Sequence, residues 1–163
     1  SMNHQNYLYL SYRLLSDTYY QMKDYEKAQI YYEYAFSLLD TVNDNELEKI
    51  ELAVAKSLIK NKIEPDETIE SILLLAYDYY EKELLYYSKV QIAYHLAEYY
   101  IETGRTREAL TYFKECLKES REREFLSHLI RGLRFSDRLF KYCLSNKIEE
   151  EFINSLKILK AEV

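Results

Sequence analysis

The chain has 163 residues, with 22 Lys and Arg against 28 Asp and Glu and a formal charge of -6. That length suits one domain with a sizeable core, and the acidic balance argues against general nucleic-acid binding, in which cations neutralise phosphates. Only 2 Gly and 1 Pro are present, so little interrupts the backbone and nearly all of it can be helical.

The sequence shows no signal-peptide pattern and no apolar run long enough to cross a membrane. Two cysteines, Cys116 and Cys143, are too few for a disulfide framework and fit a reducing, cytoplasmic setting. Ser1-Met2 reads as a remnant of tag cleavage, which leaves 3–163 as a single helical domain and suggests a piece of a longer protein. Charge is uneven: residues 1–90 hold 9 basic and 16 acidic side chains, and residues 91–163 hold 13 and 12.

Taken in order, eight helices in four antiparallel pairs are expected. The first covers about Asn6 to Met22, with Leu8, Tyr12, Leu15 and Tyr19 at helical spacing. Asp24 is a candidate N-cap for the second, which presents Ala28, Tyr31, Tyr32, Ala35, Leu38 and Leu39 on one face. A turn over Thr41–Asn45 leads to a third helix ending near Lys60. Pro65 reads as the first-turn proline of the fourth, with Asp66 and Glu67 at its positive end. The fifth runs from Ser88 to Thr103 and stops at Gly104, a left-handed stop residue. The sixth covers Thr106 to about Ser120 and the seventh about Glu122 to Leu144. Asn146 and Glu149 suggest a capping box for the eighth, ending near Lys160.

Two stretches 81 residues apart share one pattern. The first reads Tyr12, Leu15, Ser16, Tyr19, then Ala28, Tyr32 and Ala35; the second reads Leu96, Ala97, Tyr100, then Gly104, Ala109, Phe113 and Cys116. This pattern resembles the tetratricopeptide repeat, in which small residues let two helices approach and aromatics fill the space beside them. The resemblance implies an all-α, right-handed solenoid of about four antiparallel helix pairs. Placing Ile69 and Ala76 at the two small-residue positions between the good copies gives units of about 40 residues, similar to those in bacterial signalling and regulator domains of this family. The central pair and the fourth pair are degenerate copies.

The family lines its inner face with the first helix of each pair. That places Arg13, Asp17, Tyr20 and Gln21, then Tyr94, Glu98, Ile101 and Glu102, towards a binding groove. Of the 19 tyrosines, Tyr12, Tyr19, Tyr32 and Tyr100 occupy expected core positions. In the doublets Tyr19-Tyr20, Tyr31-Tyr32, Tyr79-Tyr80, Tyr86-Tyr87 and Tyr99-Tyr100, adjacent side chains point about 100° apart. One ring of each doublet must therefore lie at a seam or on the surface. Rigid aromatics among polar residues suit peptide recognition.

A second candidate surface lies on the predicted seventh helix, where Arg123, Arg131, Arg134, Arg138 and Lys141 fall within about 80° of arc at 100° per residue. Its apolar residues Leu126, Leu129, Leu133 and Phe140 lie elsewhere, with Phe135, Leu139 and Tyr142 as a third strip. The basic face either opposes Glu149–Glu151 or receives an acidic peptide or domain. His95 and His128 are isolated and no paired Cys spacing could hold zinc, so no catalytic group and no cofactor is expected. Chaperone-binding members of the family grip a C-terminal carboxylate with Lys and Asn on the first helix and with Lys and Arg on the fifth. Here Arg13, Asp17, Gln91 and His95 occupy those places, which argues against that ligand. The reading is a non-catalytic scaffold for a protein or peptide partner, able to form a homodimer, with no nucleic acid or membrane bound. The alternative is the peptide-sensing and dimerisation domain of a bacterial transcription regulator, similar at fold level to Rap–Rgg-type peptide receptors, whose output domain lies outside this sequence.

Overall fold

The computed structural model describes residues 2–42, 45–135 and 137–162, and among these it holds nine helices and no strand. The elements are α1 (Met2–Gln21), α2 (Tyr25–Val42), α3 (Glu46–Ile63), α4 (Thr68–Lys82), α5 (Tyr86–Glu102), α6 (Thr106–Arg123), α7 (Ser127–Phe135), α8 (Arg138–Ser145) and α9 (Glu150–Glu162). The chain divides into two compact units, residues 1–76 and 77–163. In the first, α2 packs against both α1 and α3; in the second, α5 packs on α6 and α8, and α9 packs on α7 and α8.

With so few glycines, the chain ends its helices by an uncommon route. Lys23 adopts φ +62°, and the two bonds of a Schellman motif follow: Lys23 N donates to Tyr20 O and Asp24 N to Tyr19 O. The same pair of bonds recurs after α4 at Leu84 (φ +55°), after α5 at Gly104 (φ +78°) and after α8 at Lys147 (φ +54°). Gly104 alone among the four takes this conformation without a Cβ penalty. Replacing Lys23 by Gly is therefore expected to stabilise the first unit by about 1 kcal/mol, read as a rise in melting temperature.

Several expected boundaries move. Lys27 N donates to Asp24 Oδ1 at 3.2 Å, so Asp24 does cap α2. Asn45 caps α3 through Glu48 N at 2.8 Å, while residues 43–44 of the expected turn lie outside the described residues, as does Ser1. Pro65 does not open α4: the helix starts at Thr68, whose N–H and hydroxyl both donate to Asp66 Oδ1. The capping box at Asn146 and Glu149 does not form, because Asn146 Nδ2 turns back to Tyr142 O and closes α8. The single helix expected over Glu122–Leu144 is the end of α6, then α7, then α8. Glu124 turns left-handed (φ +59°) and Asp137 precedes the start of α8.

The small-residue positions behave as the spacing predicts. Ala28, Ala35, Ala76, Ala97, Ala109 and Cys116 are buried, as is Ile69. At Ser16 the hydroxyl donates to Ala28 O at 2.7 Å, so a buried polar group is satisfied where the second copy simply has Ala97. Tyr32 in the first unit and Phe113 in the second fill equivalent core places. Three tyrosine doublets divide as expected, with Tyr32, Tyr80 and Tyr100 buried and their neighbours Tyr31, Tyr79 and Tyr99 only partly covered. The expected burial of Tyr12 and Tyr19 is not realised; both are only half-covered, with Tyr19 stacked on Tyr31 at 5.4 Å and Tyr12 meeting Tyr34 at 5.2 Å.

Candidate functional site

In the first unit, α1 and α3 meet at a polar cluster. The Tyr9 hydroxyl donates to Glu48 Oε2 at 2.6 Å, and Arg13 Nη1 lies 3.1 Å from Glu48 and 3.6 Å from Glu51. Burial, reinforced by Glu48, pushes the Tyr9 phenol up to about 12. Burial also lifts the Glu51 carboxyl above its usual range, against the pull of Arg13. Arg13 is thus engaged in tying α1 to α3. Asp17 and Gln21 are exposed, and Tyr20 is half-buried with its ring edge-on to Tyr25 at 5.5 Å.

In the second unit the expected groove residues divide. Tyr94 is 7 % exposed and Ile101 8 %, so neither can line a groove; both are core residues. The Tyr94 ring packs 6.0 Å from Phe113 and 6.3 Å from Phe140, and Phe113 meets Phe140 edge-on at 5.2 Å. Burial, with the half-buried Glu98 carboxylate accepting its hydroxyl, holds the Tyr94 phenol far above its ordinary value. The spacing argument missed this because α7 comes down on top of Tyr94. A Cβ at Gly132 would sit 2.3 Å from the Tyr94 hydroxyl oxygen and 2.7 Å from its ring. Gly132 is needed for that approach and was not singled out by its sequence context. Replacing Gly132 by Ala should destabilise the second unit by roughly 1–3 kcal/mol, despite the better helix propensity of Ala, and a thermal melt would record it.

The cations of the predicted seventh helix also separate. Arg123 belongs to the last turn of α6, where it reaches Glu119 at 2.8 Å and covers the Tyr86 ring at 3.6 Å. Arg131 and Arg134 are exposed on α7, and Arg138 and Lys141 on α8. The arc expected for one continuous helix therefore does not apply. The buried faces of the two short helices are Leu129, Gly132 and Leu133 on α7, and Leu139, Phe140 and Cys143 on α8. The Phe135 side chain of the third strip lies outside the described residues. Lys141 is held by Asp137 at 3.0 Å. Glu149 faces Arg121 at 2.5 Å rather than the α7 arginines, and Glu150 and Glu151 complement the first turn of α9. Among the described residues no ion pair reaches Arg131, Arg134 or Arg138.

Against known proteins, the tetratricopeptide-repeat family model matches residues 10–38 and 90–123. Both matched segments are similar to tetratricopeptide repeats. No curated protein and no solved structure matches it. Repeat one lies on α1 and α2 and repeat two on α5 and α6, so the matched segments coincide with the two well-packed antiparallel pairs. Tetratricopeptide repeats are protein-interaction modules and a non-catalytic fold.

Behind repeat two, α7 docks through His128. The ring is buried, with Nε2 3.2 Å from Ser120 Oγ and 3.8 Å from Cys116 Sγ, and Tyr87 stands edge-on at 6.1 Å. Burial, then His95 and Arg131, lower its pKa to about 4, so the imidazole is neutral at pH 7. Burial raises the Cys116 thiol to about 12, which makes it a packing residue and not a nucleophile. Among the described residues no helix is long and apolar enough to cross a membrane.

Proposed function

We propose that the chain is a non-catalytic scaffold that receives an acidic segment of a protein partner on the exposed arginines of α7 and α8. One observation supports this most. Arg13, Arg105, Arg121 and Arg123 are each tied to a carboxylate within 3.2 Å, whereas among the described residues Arg131, Arg134 and Arg138 on α7 and α8, like the single Arg107 on α6, are exposed without one. Guanidinium groups left available on a rigid helical platform match carboxylates in two-point geometry. Two short helices whose other faces are fully buried hold those groups in place.

The test is fluorescence anisotropy with a labelled peptide of alternating Glu and Leu. Wild-type protein should bind it with an affinity that falls as salt rises. Replacing Arg131, Arg134 and Arg138 together by Glu should abolish binding while the helical spectrum and melting temperature stay nearly unchanged, because exposed charges contribute little to stability. Binding that survives the triple change, or a triple change that unfolds the protein, would contradict the proposal.

A further inference from the structure

The three available arginines sit on two helices, Arg131 and Arg134 on α7 and Arg138 on α8. Their relative placement is therefore set by how the end of α7 meets the start of α8. The last carbonyls of a helix have no partner within it, and α7 ends at Phe135. In an unbroken helix Leu133 O would accept the N–H four residues on, that of Asp137. Here it accepts from Lys160 Nζ of α9 at 3.1 Å, across 27 residues of sequence.

The position of Lys160 on α9 explains the reach. Ile153 and Leu156 are fully buried, and Lys160, four residues after Leu156, shares their face. α9 packs on both α7 and α8, and the Lys160 side chain is half-buried, so its stem lies along apolar surface while the ammonium extends to the joint. The negative end of the α7 dipole favours a cation there.

The same ammonium acts on the residue that precedes α8. Lys141, at 3.0 Å, and more weakly Lys160 hold the Asp137 carboxylate below its usual range. One cation thus serves the closing turn of α7 and the residue before α8. The opposite side of the joint is held by α5, since Gly132 of α7 lies so close to Tyr94 that an added Cβ would sit 2.3 Å from its hydroxyl oxygen. With α7 fixed against α5 on one side, Lys160 supplies the polar tie on the other.

We infer that Lys160 is the positioning residue of the arginine platform: it ties the end of α7 to α9 beside Asp137 and so sets the spacing between Arg131 and Arg134 on one helix and Arg138 on the next. This assignment rests on the acidic-partner reading above. Lys160 does not itself meet the partner, because its charge is used within the fold. Its loss leaves all three guanidinium groups in place but frees the two helices to splay, so that a partner's carboxylates no longer meet them together.

Fluorescence anisotropy with the Glu-Leu peptide over a salt series tests this on wild type, Lys160→Met, Lys160→Arg and Lys157→Met. Lys160→Met should bind about tenfold more weakly, the change that loss of one charged hydrogen bond produces. Its dependence on salt should also be flatter, because fewer arginines engage at once. Lys160→Arg keeps the charge and the donor and should restore most of the loss. Lys157→Met removes the same charge from an exposed position one turn earlier on α9 and should leave affinity and salt dependence as in wild type. If Lys160→Met does not fold, Lys160→Gln gives the same reading from a milder change. A folded Lys160→Met that binds with wild-type affinity and salt dependence overturns the inference and leaves the arginine platform standing, as does equal weakening by Lys157→Met. Wild type that fails to bind the peptide overturns the platform and the inference with it.

Discussion

Replacing Phe113 by Ala is expected to destabilise the second unit by about 3–5 kcal/mol, the cost of removing a large ring from a closed core. Phe113 has no solvent exposure and touches two other rings, Tyr94 and Phe140, which themselves come from α5 and α8. Its loss opens a cavity at the point where three helices meet, and the surrounding rings are too constrained to fill it. The first unit keeps its own core around Tyr9, Ala28, Tyr32, Ala35 and Leu52. Hydrogen exchange should therefore show loss of protection concentrated in α5–α9, with α1–α3 retaining most of theirs. Equal loss everywhere would contradict a fold built of locally packed repeats.

The second large effect is acid sensitivity at His128. Its folded pKa of about 4 lies below the ordinary 6.5, so folding excludes the proton. The associated stability is fully present above about pH 6.5 and is lost progressively as pH falls through 4. The full loss is about 3 kcal/mol, since each tenfold difference in proton affinity between the folded and unfolded chain is worth about 1.4 kcal/mol. Replacing His128 by Gln removes the titrating ring while leaving a group able to bond Ser120. The stability gap between wild type and His128→Gln should narrow between pH 7 and pH 4. Parallel pH profiles for the two proteins would show that His128 is not the acid-sensitive contact.

What the sequence made legible was whatever depends on spacing within one helix. The small residues Ala28, Ala109 and Cys116 and the aromatics Tyr32 and Phe113 all lie where a 3.6-residue period places them. What it hid depends on a third element arriving from elsewhere. Tyr94 and Ile101 read as groove residues because the resemblance lines the inner face with the first helix of each pair; Tyr94 instead packs on Phe113 and is closed over by the approach of α7 at Gly132. The break between α7 and α8 was masked by an apolar period that continues across it, although Ser136-Asp137 offered residues suited to starting a helix. The left-handed stops at Lys23, Leu84 and Lys147 leave no trace in composition, because residues that resist that conformation adopt it there to close the two backbone bonds of the Schellman motif. The same break decides which cations act together: Arg123 leaves the group for Glu119 and Lys141 is held by Asp137, which leaves Arg131, Arg134 and Arg138.

The most direct measurement of the central claim is an NMR titration of the arginine Nε–Hε resonances with the Glu-Leu peptide. The account predicts that the signals of Arg131, Arg134 and Arg138 shift together and saturably, that those of Arg13 and Arg121 stay in place, and that added salt reverses the change. Shifts confined to α1 around Asp17, Tyr20 and Gln21, with the α7 and α8 arginines unmoved, would contradict it.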